Sequence, residues 1–256
     1  MPAVGIVVVS IIALLGLEHV AVRTEAGQRR DESAMNTVSA GAEALQQLHS
    51  YLGIITIGTT ALALVGCVVL ALMRGRYAVA IGAVVLVAGS DITTQILKNQ
   101  IFDRPDFGFR TISSFPSGHT TVAMSSVLAA VLVAPPLLRP LAIAAGSFAA
   151  TLVGTSTIVG AWHRPSDVIG AILVSLAWAT LVAVILGTVH HPQTDGLITS
   201  TVLALIGAAT AGIFLISVGV RPTNGITGLI DAALILGGVG VATALAIGVY
   251  ARVVPR

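Results

Sequence analysis

Charge is what this chain has least of. Only 9% of its 256 residues are Asp, Glu, Lys or Arg, against roughly a quarter in soluble globular domains. Lysine occurs once, at Lys98, and cysteine once, at Cys67; aromatic residues make up 4%. Each shortage excludes something. A single cysteine excludes a disulfide scaffold. A chain that is 55% hydrophobic, with a mean hydropathy of +0.98, excludes intrinsic disorder, and so little charge excludes a cytosolic domain. The formal net charge is +2, but the 13 basic residues are scattered, so no patch is dense enough to hold nucleic acid.

What is there is Ala, Val, Leu and Ile in long runs. About eight read as membrane-spanning helices: Ala3–Leu17, Tyr51–Met73, Tyr77–Leu97, His119–Leu138, Leu141–Trp162, Val168–Val189, Leu197–Val218 and Ile226–Tyr250. The first is short. It lacks the basic leader of a secretory signal and therefore reads as a retained anchor. The expected fold is all-α, a polytopic transmembrane helix bundle forming a single integral membrane domain over 1–256, with no internal repeat.

The connections fall into two sets. Met73–Tyr77, Ala134–Pro140, His190–Gly196 and the C-terminal tail hold Arg74, Arg76, Arg139, Arg252 and Arg256, which assigns them to the cytoplasm. Glu18–Ser50, Lys98–Gly118, His163–Asp167 and Arg221–Gly225 share the opposite face by counting spans, whichever way the bundle is oriented. Within Glu18–Ser50 a charged stretch, RTEAGQRRDES, precedes AGAEALQQLHSYL, whose helix-favouring residues extend the second span outward or lie on the membrane surface.

Three stretches on that shared face carry polar chemistry. Lys98 ends a span in KNQIFDRPDFGFR, ahead of Arg104-Pro105; alone it reads as a snorkelling cation. In FPSGHTT, Pro116, Ser117 and Gly118 turn the chain and His119 begins a helix. Ser117 is there either an ordinary cap or part of a helix N-terminus open to an anion. In GAWHRPSDVIGA, His163 and Asp167 are four residues apart, one helical face, although Pro165 makes a turn from which Asp167 can reach back. Asp167 is then either a helix cap or a carboxylate orienting an imidazole nucleophile. Asp91 and Gln95 fall on the stripe of Lys98, inside a span where a carboxylate is costly.

Together and in this order, the three stretches resemble the type 2 phosphatidic acid phosphatase family of integral membrane lipid phosphatases. That family carries Lys…Arg-Pro, Pro-Ser-Gly-His and Ser-Arg…His…Asp motifs. The matches are Lys98 with Arg104-Pro105, Pro116-Ser117-Gly118-His119, and His163 with Asp167. The resemblance runs from about Tyr51 to Val189. It implies a six-helix phosphatase core over about 1–189 and two additional C-terminal spans in 190–256. Two departures stand out. Lys98 and Arg104 are one residue closer than the family pattern, and Ser156 is followed by Thr157 where the family has arginine. A threonine cannot supply a guanidinium's two parallel charge-assisted bonds to phosphate. Arg164 or Arg110 is expected to supply the missing charge.

The resemblance implies phosphoryl transfer through a phosphohistidine. His163 attacks phosphorus, Asp167 orients its ring, and His119 protonates the leaving group. Lys98, Arg104, Ser117 and the Gly118 N–H hold the phosphate oxygens, and Arg164 is the further phosphate-binding candidate. No metal and no cofactor is implied, and the loops hold no carboxylate cluster of the magnesium-binding kind. The implied substrate is a lipid phosphate or pyrophosphate (polyprenyl pyrophosphate, phosphatidic acid or phosphatidylglycerol phosphate), met among membrane lipids at the extracytoplasmic side of the cell membrane. A lipid phosphotransferase using the same site, and a non-enzymatic transporter or lipid-binding protein, are the competing readings.

Overall fold

The computed structural model describes residues 2–54, 57–109, 115–187 and 194–254. In lipid a chain must satisfy its backbone groups internally, and this one does so with helices. They are α1 (Pro2–Leu17), α2 (Glu25–Met35), α3 (Ala42–Ile54), α4 (Ile57–Met73), α5 (Tyr77–Ile96), α6 (Gly118–Val133), α7 (Arg139–Val159), α8 (Pro165–Ile185), α9 (Thr194–Ser217) and α10 (Leu229–Val253). Single π-type turns extend α1 over Glu18–Val22 and α5 over Leu97–Ile101. With these extensions, six described segments are long and apolar enough to cross a membrane: Ala3–Val22, Tyr77–Ile101, Arg139–Val159, Pro165–Ile185, Ile198–Ser217 and Gly225–Val253. The other two expected spans are apolar but shorter, Thr60–Met73 and Gly118–Val133. α6 stops before Leu138 because Pro135 and Pro136 cannot continue it and push Ala134 out of helical geometry.

Helix α8 lies inside the bundle against α1, α5, α6 and α10, and α6 packs against α4, α5 and α7. Their facing residues Met124, Leu128, Leu132, Val168, Ala171 and Ala179 are buried. The outer helices instead present Val9, Ile12, Leu62, Ile81, Ile198, Ile213 and Ile230 outward, the apolar surface that a lipid solvent requires. Interhelical hydrogen bonds fix neighbours: Trp178 Nε1 donates to Thr93 Oγ1 at 2.9 Å, the Thr94 and Thr121 hydroxyls meet at 2.9 Å, and Ser147 Oγ donates to Ala204 O at 2.6 Å. Where α7 meets α9, a Cβ on Gly207 would lie 2.1 Å from Ala144 O, so only glycine permits that approach.

Two three-residue strands, β1 (Val38–Ala40) and β2 (Val220–Pro222), pair antiparallel with Ser39 opposite Arg221, and Thr223 N–H donates to Thr37 O at 2.9 Å. They bind together two connections that span counting puts on one face. At the other end Arg74 Nη1 donates to Val133 O at 2.8 Å, joining two connections of the opposite set.

Helix α8 also needs Gly170. A Cβ there would lie 2.4 Å from Cε2 of the buried Phe115 ring, just ahead of Pro116-Ser117. Gly170→Ala is expected to cost about 1–3 kcal/mol through overpacking. Thermal unfolding in detergent measures this, and an unchanged Tm means that the ring has room to yield.

Candidate active site

The site grows from the start of α8. Pro165 takes the first helical position and Asp167 the third, so the carboxylate reaches back over the turn. It is fully buried. Its Oδ2 accepts the Arg164 N–H at 3.0 Å and faces His163 Nδ1 at 3.3 Å; its Oδ1 accepts from Arg104 Nη2 at 2.7 Å. The cap and the histidine-orienting carboxylate, alternatives in the sequence, are thus one group. With Nδ1–H directed at Asp167, His163 carries its lone pair on Nε2.

The second stretch is tied to the same residue, because Ser117 N–H donates to the Asp167 main-chain O at 2.9 Å. Ser117 caps α6: its Oγ accepts from the Thr120 N–H at 3.4 Å and from the Thr120 hydroxyl at 3.1 Å. Gly118 and His119 then open the helix with N–H groups that have no intrahelical acceptor. Lys98, in the first stretch, sits half-buried on the π-type turn that ends α5. The Phe102 and Phe115 rings, 5.7 Å apart, hold the two ends of the intervening loop together.

Arg104 holds the most informative atoms. Its side chain is 12% exposed and Nη2 is engaged with Asp167. Among the described residues, its buried Nε and Nη1 have no hydrogen-bond partner. These two orphaned guanidinium donors, on separate edges of the fork beside the Asp167 that faces His163, can each make a charge-assisted hydrogen bond to an anion such as phosphate.

Residues 77–191, which contain all three stretches, match the sequence profile of the PAP2 superfamily. The chain also superposes on the crystal structure of a transmembrane PAP2 type phosphatidylglycerolphosphate phosphatase from Bacillus subtilis. That match has 20% sequence identity, covers 72% of this chain and 98% of that chain, and has a TM-score of 0.59. At that identity the likeness is one of fold. No curated protein matches the sequence.

Thr157 stands where the resemblance leads one to expect arginine, and the structure shows what the threonine does. Its Oγ1 donates to Gly154 O at 2.7 Å within α7, while its carbonyl accepts the N–H groups of Trp162 at 2.9 Å and His163 at 3.2 Å. It shapes the turn and directs no side-chain donor into the site. Ala161 completes that turn with a φ of +54°, a left-handed conformation that costs a non-glycine residue on the order of 1 kcal/mol.

Arg110 lies outside the described residues. Arg164 is fully buried, with Nε 3.0 Å and Nη2 2.9 Å from Glu32 Oε2 on α2.

Helix α2 was not legible as a helix, since EAGQRRDESAM has no apolar face. Thr24 caps it by accepting the Gly27 N–H at 3.0 Å. Three of its residues reach into the PAP2 segment. Glu32 holds Arg164; the Asp31 carboxylate accepts the Ser166 N–H at 3.1 Å and the Ser166 hydroxyl; Gln28 Nε2 donates to Pro105 O at 2.9 Å. The available signal was spacing, because residues 28, 31 and 32 form one helical stripe. His49 on α3 was also missed. It stacks on Trp162 with ring centroids 4.7 Å apart, and Trp162 reaches His119 at 5.7 Å.

Burial pushes the Asp31 carboxyl up to about 6; the Ser166 hydroxyl opposes this, Asp167 adds to it, and the Ser166 N–H and Arg104 also oppose it. A carboxyl raised on folding contributes stability that is complete below its unfolded value near 4 and lost as pH rises through 6. The stability of the protein relative to Asp31→Asn is therefore expected to fall by about 2 kcal/mol between pH 4 and 7. Paired melts across that range measure it, and a flat difference means that Asp31 titrates as an exposed carboxyl.

Proposed function

We propose that the chain is a membrane lipid phosphate or pyrophosphate phosphatase that works through a phosphohistidine at the extracytoplasmic face of the cell membrane. The observation that carries this reading is Arg104, with two buried, unmatched donors, on the same Asp167 that faces His163. Phosphoryl transfer needs mainly positioning and neutralisation of spreading charge. Lys98, Arg104, the Ser117 hydroxyl and the Gly118 N–H supply both.

His163 Nε2 attacks phosphorus and forms a P–N bond as the bond to the leaving oxygen breaks. Asp167 stabilises the imidazolium. His119 gives a proton to the departing alkoxide or phosphate, then takes one from a water that cleaves the P–N bond and releases phosphate. The lipid chain stays in the apolar phase while its headgroup meets these loops. The sidedness rests on Arg74, Arg76 and Arg139 at the opposite end of the bundle.

The test is phosphate release from lipid phosphates by the purified chain in detergent. Release is expected with the chelator EDTA present, because fixed cations and N–H donors replace a metal. Abolition by the chelator overturns the metal-free mechanism, and no release from any lipid phosphate overturns the function.

A further inference from the structure

The fully buried guanidinium of Arg164 and the buried hydroxyl of Ser166 flank Pro165 in the turn between His163 and Asp167. Both are held by α2, a charged helix outside the membrane-spanning segments and outside residues 77–191. The contacts come from adjacent carboxylates: Glu32 on the Arg164 Nε and Nη2, Asp31 on the Ser166 N–H and hydroxyl. One turn earlier, Gln28 Nε2 bonds Val22 O at 2.7 Å and Pro105 O at 2.9 Å, so the same stripe grips the loop that carries Arg104. Helix α2 sits close on its own support, since a Cβ on Gly27 would lie 1.8 Å from Val20 O.

We propose that α2 is a positioning clamp for the site. Gln28, Asp31 and Glu32 set the relative placement of Arg104 and of the His163–Asp167 turn, and Arg164 serves as the handle by which Glu32 holds that turn. This rests on the phosphatase reading and adds residues to it. None of the three touches the reacting atoms; they act through Pro105, Ser166 and Arg164.

The physical case is geometric. Asp167 must face Arg104 and His163 at once, and these lie on separate loops. The helix cap fixes Asp167 relative to α8 but does not fix the Arg104 loop. A brace that bonds both loops from outside the membrane does. Arg164, committed to a carboxylate, is poorly placed to serve as a phosphate ligand; freed from Glu32, its buried charge would pull the turn elsewhere.

The experiment compares the full chain with Glu32→Gln, Glu32→Asp, Asp31→Asn, Arg164→Gln and the double variant Glu32→Gln/Arg164→Gln. Glu25→Gln is the control, altering an exposed pair with Arg29 on the same helix. Glu32→Gln is expected to lower kcat about 10- to 100-fold with KM within about threefold, the cost of misplacing groups by an ångström or less. Glu32→Asp recovers part of the loss. The double variant recovers at least about tenfold over Glu32→Gln, because removing both charges relieves the misplaced one. A double variant no better than Glu32→Gln, with Arg164→Gln at least as damaging alone, makes Arg164 a phosphate ligand and overturns the clamp. Lower Tm with unchanged kcat makes α2 a stabilising element only and equally overturns it.

Amide exchange over residues 163–168, measured without substrate, needs no activity. It is expected to speed up in Glu32→Gln and Asp31→Asn, with the middle of α8 unchanged. Unchanged exchange there overturns the clamp. A parent protein that releases no phosphate, with the exchange effect intact, overturns the phosphatase reading and leaves the clamp standing.

Discussion

Replacing His163 with alanine is expected to lower phosphate release by at least about four orders of magnitude while the bundle stays folded. Nucleophile deletions elsewhere cost about a million-fold in kcat, leaving only what binding and charge stabilisation achieve alone. The same residual applies here, because the Arg104, Ser117 and Gly118 donors survive the substitution. His163 is 3% exposed, so the variant leaves a small cavity near α7 and melts somewhat lower. A second readout separates chemistry from stability. Substrate labelled at phosphorus should leave label on the parent chain when quenched, in a bond stable to alkali and labile to acid, and none on His163→Ala. Asp167→Asn is expected to lose about 10⁴-fold, the scale seen when a carboxylate that fixes an imidazole tautomer becomes an amide. The cause is concrete. Asp167 accepts from Arg104, His163 and the Arg164 N–H, and an amide must turn its own donor toward at least one of them. Retention of more than about 1% of activity in His163→Ala removes the phosphohistidine.

How much of this was legible beforehand differs by region, for physical reasons. A membrane-spanning helix must be apolar along its length, so the bundle was visible in composition. Its ends were not: α6 halts at Val133 through a proline pair, and α5 runs past its expected end through a π-type turn that carries Lys98. The stretches holding Lys98, Arg104, Ser117, His119, His163 and Asp167 were recognisable because polar residues are scarce here and fall on one face. What failed was the polar segment between the first two spans. A helix with charges on every side has no periodicity to detect, and its stripe of Gln28, Asp31 and Glu32 takes meaning only from loops about 75 to 135 residues away. The β1–β2 pair was invisible for a similar reason, since three-residue strands from distant loops carry no alternation. Arg164 shows the limit of local reasoning. Adjacent to His163 in sequence, it was expected to bind phosphate; its contact with a carboxylate 132 residues away left no local signal.

The second large effect concerns Arg104, and it tests which guanidinium serves the site. With Thr157 bonded into its own helix, Arg104 offers two buried guanidinium donors on the same Asp167 that faces His163. Lysine keeps the charge but offers a point donor in place of a fork, so it can serve Asp167 or phosphate, not both. Arg104→Lys is expected to lower kcat/KM about 10²- to 10³-fold, the usual cost of losing one placed donor to a developing oxyanion. Arg104→Ala loses more, because it also leaves the Asp167 carboxylate buried without its cation. Vanadate, whose five-coordinate form resembles the transferring phosphoryl group, decides how the loss arises. If Arg104 grips the transition state directly, the vanadate inhibition constant rises in step with the fall in kcat/KM across Arg104→Lys and Arg104→Ala. Free guanidinium added to Arg104→Ala then restores part of both. An inhibition constant that stays fixed while kcat/KM collapses assigns Arg104 to holding Asp167 alone, and its two open donors would have no part in binding phosphate.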